Sequence, residues 1–187
     1  YASNFPLVFL MSLYLQYVKE LGPSHAGQVI LVQALSMAIM APLSGKLADR
    51  FEPRLVATLG CIIVACGLYI LSLMNTETSI TYIVCSLLLI GFGFGLFSTP
   101  NNNAIMGGVQ VHEVGVASAS MSLSRTIGNL FGMSLVNLMV HYYLGNAQFT
   151  QEQNPALIQT VEMALNMSLV FVVVACVISA LRGKSRT

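Results

Sequence analysis

The chain has 187 residues, of which 56% are hydrophobic and 8% are charged, and its formal net charge is +1. Soluble domains carry about 25% charged residues, so this composition excludes an ordinary soluble fold. The near-neutral charge also lacks the basic footprint of a protein that binds nucleic acid. We therefore expect the chain to lie in a lipid bilayer.

Long apolar runs follow one another along the whole sequence, each near the ~20 residues that a bilayer-spanning helix needs. Because the runs are continuous and do not alternate in short segments, they favour helices over a β-barrel. The sequence predicts an all-α membrane protein with transmembrane helices over residues 1–18, 26–47, 55–74, 80–106, 116–144 and 163–181.

A charged connection over residues 45–54 joins the second and third predicted spans. Gly45 would let two helices approach closely, and Asp49 can accept hydrogen bonds at a helix N-terminus. Arg50 and Arg54 suit carboxylates or anionic lipid headgroups. Two interpretations stay open: a basic anchor on the cytoplasmic side, or a loop that gates a conformational change.

Gly91 and Gly95 share one face of the fourth span, which predicts close packing against another helix. Their glycine pattern follows no strand, so it is not a nucleotide fingerprint. Pro100 predicts a kink in the same span, beside asparagines that would form a cavity wall or a cytoplasmic cap. These are Asn101, Asn102 and Asn103.

Arg125 lies inside the fifth span, where a guanidinium is costly unless it faces protein or water. Small and polar side chains share its helical face, which suits a helix that lines a cavity or packs on a partner. They are Ser118, Met121, Ser122, Gly128, Asn129 and Gly132. The alternative is an arginine that snorkels to the cytoplasmic interface, since it lies about 14 Å into the span.

Other residues within the spans complete the set of candidates. The predicted cavity lining comprises Gln16, Gln33, Ser36, Asn101, Ser122 and Asn129, and the predicted packing glycines are Gly91, Gly95, Gly128 and Gly132. No carboxylate lies in the middle of a span, so a proton-carrying carboxylate is expected outside this chain. The cysteines and histidines show no spacing typical of a metal site, and we predict neither an enzyme nor a bound cofactor or metal.

Basic residues indicate the orientation, because cytoplasmic loops are enriched in lysine and arginine. In a six-span bundle the 45–54 connection, the 107–115 connection and the C-terminal tail share one side. That side carries Lys46, Arg50, Arg54, Arg182, Lys184 and Arg186, whereas the other side carries Lys19. We expect a multi-pass protein of the plasma or inner membrane whose C-terminus is cytoplasmic.

The 45–54 connection resembles the cytoplasmic loop motif of the major facilitator superfamily, Gly-x-x-x-Asp-Arg/Lys-x-Gly-x-Arg/Lys. Gly45, Asp49, Arg50 and Arg54 occupy matching positions, and Glu52 stands where the motif has glycine. In that family the motif follows the second helix of each six-helix half, as it does here. Segments 9–18, 24–27, 91–100 and 117–132 resemble drug:proton antiporters of the EmrB/QacA type.

The resemblance implies that the whole chain is the C-terminal six-helix half of such a transporter, and that an N-terminal half is its missing partner. It implies proton-coupled efflux of lipophilic drug-like compounds by alternating access, with the proton gradient as the energy source and no cofactor. An arginine at position 125 would then stabilise its helix or interact with coupling carboxylates in the other half. The alternative function is a non-transporting membrane scaffold or sensor that keeps the fold.

Overall fold

The computed structural model describes residues 1–144 and 154–181, and every regular element in these two segments is helical. The long helices are α1 (Asn4–Leu13), which continues as a π-helical turn over Tyr14–Val18, α2 (Pro23–Arg50), α3 (Pro53–Ser72), α4 (Ile80–Met106), α5 (Val114–Leu144) and α6 (Asn154–Leu181). A short 3₁₀ turn over Val111–Glu113 precedes α5. The predicted all-α fold class is confirmed.

Local sequence signals explain where several helices begin. Pro23 and Pro53 occupy the first turns of α2 and α3, where a missing N–H leaves no hydrogen bond unmade. Ser79 caps α4, since its hydroxyl oxygen accepts from the amide of Tyr82 at 3.3 Å. These signals set helix starts independently of hydropathy.

Two helices, α2 and α6, extend three or more residues beyond an end of the spans expected from hydropathy. α2 continues through the charged residues to Arg50, so Phe51 and Glu52 alone separate it from α3. Lysine, leucine, alanine and arginine are good helix formers, and the helix ends only where proline follows. α6 begins at Asn154, ahead of the predicted start at residue 163. α4, by contrast, has the predicted bounds, and it remains helical through Pro100 to Met106.

Four helical segments of the described chain are long and apolar enough to cross a membrane: α2, α3, α4 and the 157–180 part of α6. The apolar helix over residues 4–18 is shorter than these. α5 has 31 residues, but it carries Arg125 and several serines, and it falls outside this apolar group. The six-span topology therefore stays a prediction.

The helices contact one another in a closed ring. α4 lies between α2 and α3, and α6 packs on α3. α5 contacts α6, and α1 closes the ring through contacts with α2, α5 and α6. The order around the bundle is therefore α1, α2, α4, α3, α6 and α5.

Glycines bring α3 and α4 together in antiparallel directions. A Cβ atom added to Gly60 would lie 2.6 Å from the amide nitrogen of Phe97, and one on Gly93 would lie 2.8 Å from the Gly60 carbonyl oxygen. A Cβ atom on Gly67 would meet Ile90 Cγ1 at 2.6 Å. Such close backbone contact is typical of membrane helices that pack through small residues.

α2 and α4 run parallel, held by small residues and serines. Ser36 donates to the carbonyl of Leu88 at 2.9 Å, and Ser44 donates to that of Leu96 at 3.1 Å. The partners are 52 residues apart in both pairs, so the two helices run in the same direction with a constant register. These hydrogen bonds satisfy hydroxyls that would be costly to bury without a partner.

The main cluster of buried apolar residues reaches the connection between α3 and α4. Leu10, Tyr14 and Leu71 are fully buried in it. The Tyr14 hydroxyl donates to the carbonyl of Asn75 at 2.6 Å, which ties the end of α1 to that connection. The opposite end of α1, at Tyr1, faces open volume.

Candidate functional site

Two adjoining cavities lie around the start of α1. The larger has a volume of about 420 Å³ and is lined by residues 1–3, which precede α1, and by α3, α4, α5 and α6. The smaller has a volume of about 310 Å³ and lies between Tyr1, α4 and α5. Tyr1, Asn101 and Ser124 line both cavities. Volumes of roughly 300–1,000 Å³ are typical of sites for small molecules.

The larger cavity is mainly aromatic and aliphatic. Its apolar wall comprises Phe94, Phe97, Phe131, Phe171, Val64 and Val172. The rings of Phe131 and Phe171 have centroids 6.1 Å apart and are tilted by 56°, an arrangement that aromatic pairs prefer. We refer to these six residues as the phenylalanine wall. It can bury an apolar ligand without presenting unpaired polar groups to it.

Arg125 lies in the wall of the smaller cavity. Arg125 Nη2 donates to Asn102 Oδ1 at 2.9 Å, and Arg125 Cζ lies 5.0 Å from the ring centroid of Tyr1. The Tyr1 hydroxyl lies 3.2 Å from Ser98 Oγ, so the tyrosine is itself tied to α4. The guanidinium is thereby directed toward α4 and Tyr1, with a cation–π contact on the ring.

Arg125 has no carboxylate partner within the described segments. An ion pair of 3.9 Å joins His112 and Glu113 in the exposed turn before α5, away from the guanidinium. A guanidinium carries five N–H donors, and Asn102 takes one of them. The smaller cavity therefore holds a positive charge with hydrogen-bonding capacity to spare.

Glycines on α5 place Tyr1 beside this arginine. A Cβ atom on Gly132 would overlap the Ala2 carbonyl oxygen, and one on Gly128 would lie 3.4 Å from Tyr1 Cβ. Gly128 lies three residues beyond Arg125, just under one helical turn, so both face the same side of α5. Because both glycines leave the backbone of α5 uncovered, the start of α1 can lie directly against it.

The other two glycines predicted to pack lie against α2. A Cβ atom on Gly91 would overlap the Gln33 carbonyl oxygen, and one on Gly95 would lie 2.7 Å from Met40 Cβ. The residues lie four apart and face the same neighbour. Their geometry gives a physical reason for glycine at both positions.

Residues predicted to line a cavity are dispersed. Asn101 lies in the wall of both cavities. Ser36 instead donates its hydroxyl hydrogen bond to a carbonyl of α4. Gln33 is buried, and its Nε2 donates to Asn4 Oδ1 at 2.9 Å. Its Oε1 atom is buried without a hydrogen-bond partner in the described part of the chain. Because α2 packs in parallel against α4, the face of α2 that carries Gln33 and Ser36 contacts neighbouring helices and does not line a cavity.

The remaining candidates of that group lie apart from both cavity walls. Gln16 Nε2 donates to Ser12 Oγ at 2.8 Å, within its own helix. Ser122 is exposed, and Asn129 is half-buried on α5. Their positions on spans do not bring them to the open volume that surrounds Tyr1.

The four motif residues at 45–54 divide into two groups. Gly45 lies in α2 facing α4, where a Cβ atom would be 3.9 Å from Thr99 Cγ2. Asp49 and Arg50 are exposed in the last turn of α2. Both are therefore free to meet a partner outside this bundle.

Arg54, by contrast, is bound inside the bundle. Its guanidinium donates to the Ala180 carbonyl in the last turn of α6. The last carbonyls of a helix have no intrahelical partners and carry partial negative charge, so a cation stabilises them. Thr58 and Ser179 add a hydroxyl contact of 3.2 Å between the same two helices.

Sequence reasoning missed several residues of the site. Tyr1 and Ser98 were not candidates, and neither were the four phenylalanines. The spacing of Phe94 and Phe97 places both on one face of α4, which was an available signal. Phe131 and Phe171 come from α5 and α6, and only the tertiary packing brings them together.

A comparison with family models decides the class of protein. The model described as Major Facilitator Superfamily matches residues 1–133. The chain belongs to the Major Facilitator Superfamily. With its apolar helices, this makes it part of a multi-pass membrane protein, and it points to a transporter and not an enzyme.

Curated relatives of this Major Facilitator Superfamily chain are named for different functions. It is 34% identical over 133 residues to the uncharacterized transporter YebQ of Escherichia coli (strain K12), covering 71% of this chain and 29% of YebQ. It is 27% identical over 132 residues to the riboflavin transporter RibZ of Clostridioides difficile (strain 630), covering 71% and 29%. It is 28% identical over 159 residues to the multidrug efflux pump LfrA of Mycolicibacterium smegmatis, covering 82% and 32%. The chain thus spans about a third of the length of these relatives.

Proposed function

We propose that this chain is the C-terminal six-helix half of a secondary transporter of the EmrB/QacA type. The whole protein would export lipophilic drug-like compounds, driven by proton entry. The single observation that carries the proposal is the cavity of about 420 Å³ with its phenylalanine wall, inside a bundle of this superfamily. Similarity to a multidrug efflux pump supports the same substrate class.

An upstream six-helix half is the partner that we propose. A stripe of exposed apolar residues on α2, each four residues from the next, gives this helix a face suited to lipid or to such a half. The stripe comprises Leu31, Leu35, Ile39, Leu43 and Leu47. We place the proton-carrying carboxylate in the upstream half, because a proton-coupled carrier needs a titratable group in the membrane.

Alternating access would rock the two halves around the cavity. Asp49 and Arg50, both exposed at the end of α2, are the residues we propose to latch one state by contacts with the other half. Gly45 would let α2 and α4 remain close during the motion. Arg54 would keep α3 attached to α6, so that this half moves as one body.

We place the ends of α2 and α6 on the cytoplasmic side. The basic residues at 45–54 and in the tail favour this side, since cytoplasmic loops are enriched in lysine and arginine. The contact between Arg54 and Ala180 supports a shared side for the two regions. The C-terminus would then be cytoplasmic in a plasma or inner membrane.

Dye efflux tests the transport proposal. Cells that express the polypeptide from its natural gene, and matched cells that lack it, are loaded with the cationic dye ethidium or with the anionic dye 1-pyrenebutyrate. We expect faster loss of at least one compound from the expressing cells, and nigericin, which collapses the pH gradient, should abolish the difference. Equal efflux of both compounds from the two kinds of cell would favour the scaffold or sensor function.

A further inference from the structure

We propose that the two adjoining cavities form one binding site for an amphipathic ligand that carries an anionic group. The apolar body of the ligand would lie against the phenylalanine wall, and its anion would bind Arg125. This inference rests on the proposed transport function, because it names a substrate class for the same cavity. It assigns an anion where the resemblance implied only a lipophilic drug.

The first argument is the charge of the smaller cavity. Arg125 lines it, and no carboxylate in the described segments lies within ion-pair distance of the guanidinium. A cation in a membrane helix bundle is stabilised when an anion pairs with it. Arginine also presents a planar fork that matches carboxylate and phosphate oxygens.

The second argument is that the guanidinium is already positioned. One N–H donates to Asn102 and the guanidinium lies over the Tyr1 ring, so a ligand would not have to immobilise a freely rotating side chain. Held side chains lose less conformational entropy on binding. The described partners of Arg125 leave four of its five N–H donors for other acceptors.

The third argument is the relation between the two cavities. Tyr1, Asn101 and Ser124 line both of them, so one molecule that passes these residues can occupy both volumes. The shared residues carry hydroxyl and amide groups, which are neutral. A lipophilic cation of the same shape would meet Arg125 without a compensating negative charge, which disfavours it.

The anion has two possible sources with the same chemistry: the carboxylate of an amphipathic solute, or the phosphate of a lipid. Binding experiments on the polypeptide from its natural gene, purified in dodecyl maltoside and immobilised, distinguish them. The matched probes are tritiated 1-pyrenebutyrate and 1-pyrenebutanol, which share one aromatic body. Phosphatidylglycerol that competes with 1-pyrenebutyrate identifies lipid phosphate, whereas an absence of competition identifies the solute carboxylate as the ligand.

We expect the carboxylate probe to bind about tenfold more tightly than the alcohol. Arg125→Gln should abolish this preference and leave the alcohol affinity unchanged, whereas Arg125→Lys should keep most of it. Asn102→Ala removes the 2.9 Å hydrogen bond that positions the guanidinium but keeps the cation, so it should reduce the preference without abolishing it. Lys46→Gln, at an exposed basic residue outside both cavities, is the matched control and should change neither affinity.

Equal binding of the two probes to the wild-type protein would overturn the proposal. A parallel loss of both affinities in Arg125→Gln would also overturn it, because that result assigns Arg125 a purely structural role. Binding preference is independent of transport: a preference without efflux would reject the transport proposal alone. Efflux with equal probe affinities would reject only the anion site.

Discussion

The guanidinium carbon of Arg125 lies 5.0 Å from the ring centroid of Tyr1, and this contact depends on glycines farther along α5. Gly128 and Gly132 leave the helix surface bare where residues 1 and 2 lie against it. The hydrogen bond from Arg125 to Asn102 then fixes the same side chain to α4. The packing of α1 on α5 thus determines the geometry of the smaller cavity.

Replacing Gly132 with alanine should displace the start of α1. The new Cβ atom would overlap the Ala2 carbonyl oxygen, which is backbone and cannot rotate away. We expect a loss of about 1–3 kcal/mol in the free energy of unfolding, the usual cost of overpacking. Thermal unfolding in detergent measures it, with Gly115→Ala as the control because nothing lies within 4 Å of its added methyl group.

Gly91→Ala should separate α2 from α4. Its Cβ atom would overlap the Gln33 carbonyl oxygen and approach Ser36 Cβ at 3.0 Å. Alanine is more favourable than glycine in a helix by about 1 kcal/mol, so the cost of the steric overlap must exceed this gain for the protein to be destabilised. We expect a lower midpoint of thermal unfolding for Gly91→Ala, and an equal or higher midpoint for Gly27→Ala, which has open space around it. A stabilised Gly91→Ala protein would contradict the packing that we describe.

Hydropathy was sufficient to predict a helical membrane bundle, because a long apolar segment in lipid must satisfy its backbone N–H and C=O groups internally, as a helix does. It could not place the end of α2. The charges of Lys46, Asp49 and Arg50 suggested a connection between spans, yet these residues are helical. The helix ends at Arg50, just before Pro53. Their resemblance to a family motif indicated the superfamily correctly despite this difference in local structure.

The cavity could be predicted only in part, since its walls come from four helices and from the residues that precede α1. Asn101 was a candidate because polar residues within spans are costly and must face protein or water. The same logic selected Gln33 and Ser36, which meet that need through hydrogen bonds to α1 and α4. Polarity alone therefore did not separate cavity walls from helix contacts.

Arg54→Gln should loosen the end of α6. The substitution removes the cation that donates to the Ala180 carbonyl, and hydrogen bonds to charged groups contribute about 1.5–3 kcal/mol. We expect faster amide hydrogen exchange over the last described turn of α6, up to Ala180. Arg50→Gln, at an exposed arginine of the same connection, is the control and should leave that exchange unchanged.

Asp49→Asn should slow transport and leave stability unaltered. Asp49 is exposed on α2, so loss of its charge removes no contact within this bundle. If the carboxylate latches one state against the other half, efflux should fall while the midpoint of thermal unfolding stays the same. Glu52→Gln, at the neighbouring exposed carboxylate, is the matched control. Normal efflux by Asp49→Asn would remove this residue from the proposed gate.

Proton movement coupled to substrate tests the central claim most directly. Everted vesicles that contain the polypeptide from its natural gene are acidified inside by respiration and followed with a quenched acridine dye. Addition of an exported compound should release the quench, because export consumes the proton gradient, and vesicles without the protein should show no release. An unchanged signal with a compound that the protein demonstrably exports would contradict a proton-driven transporter.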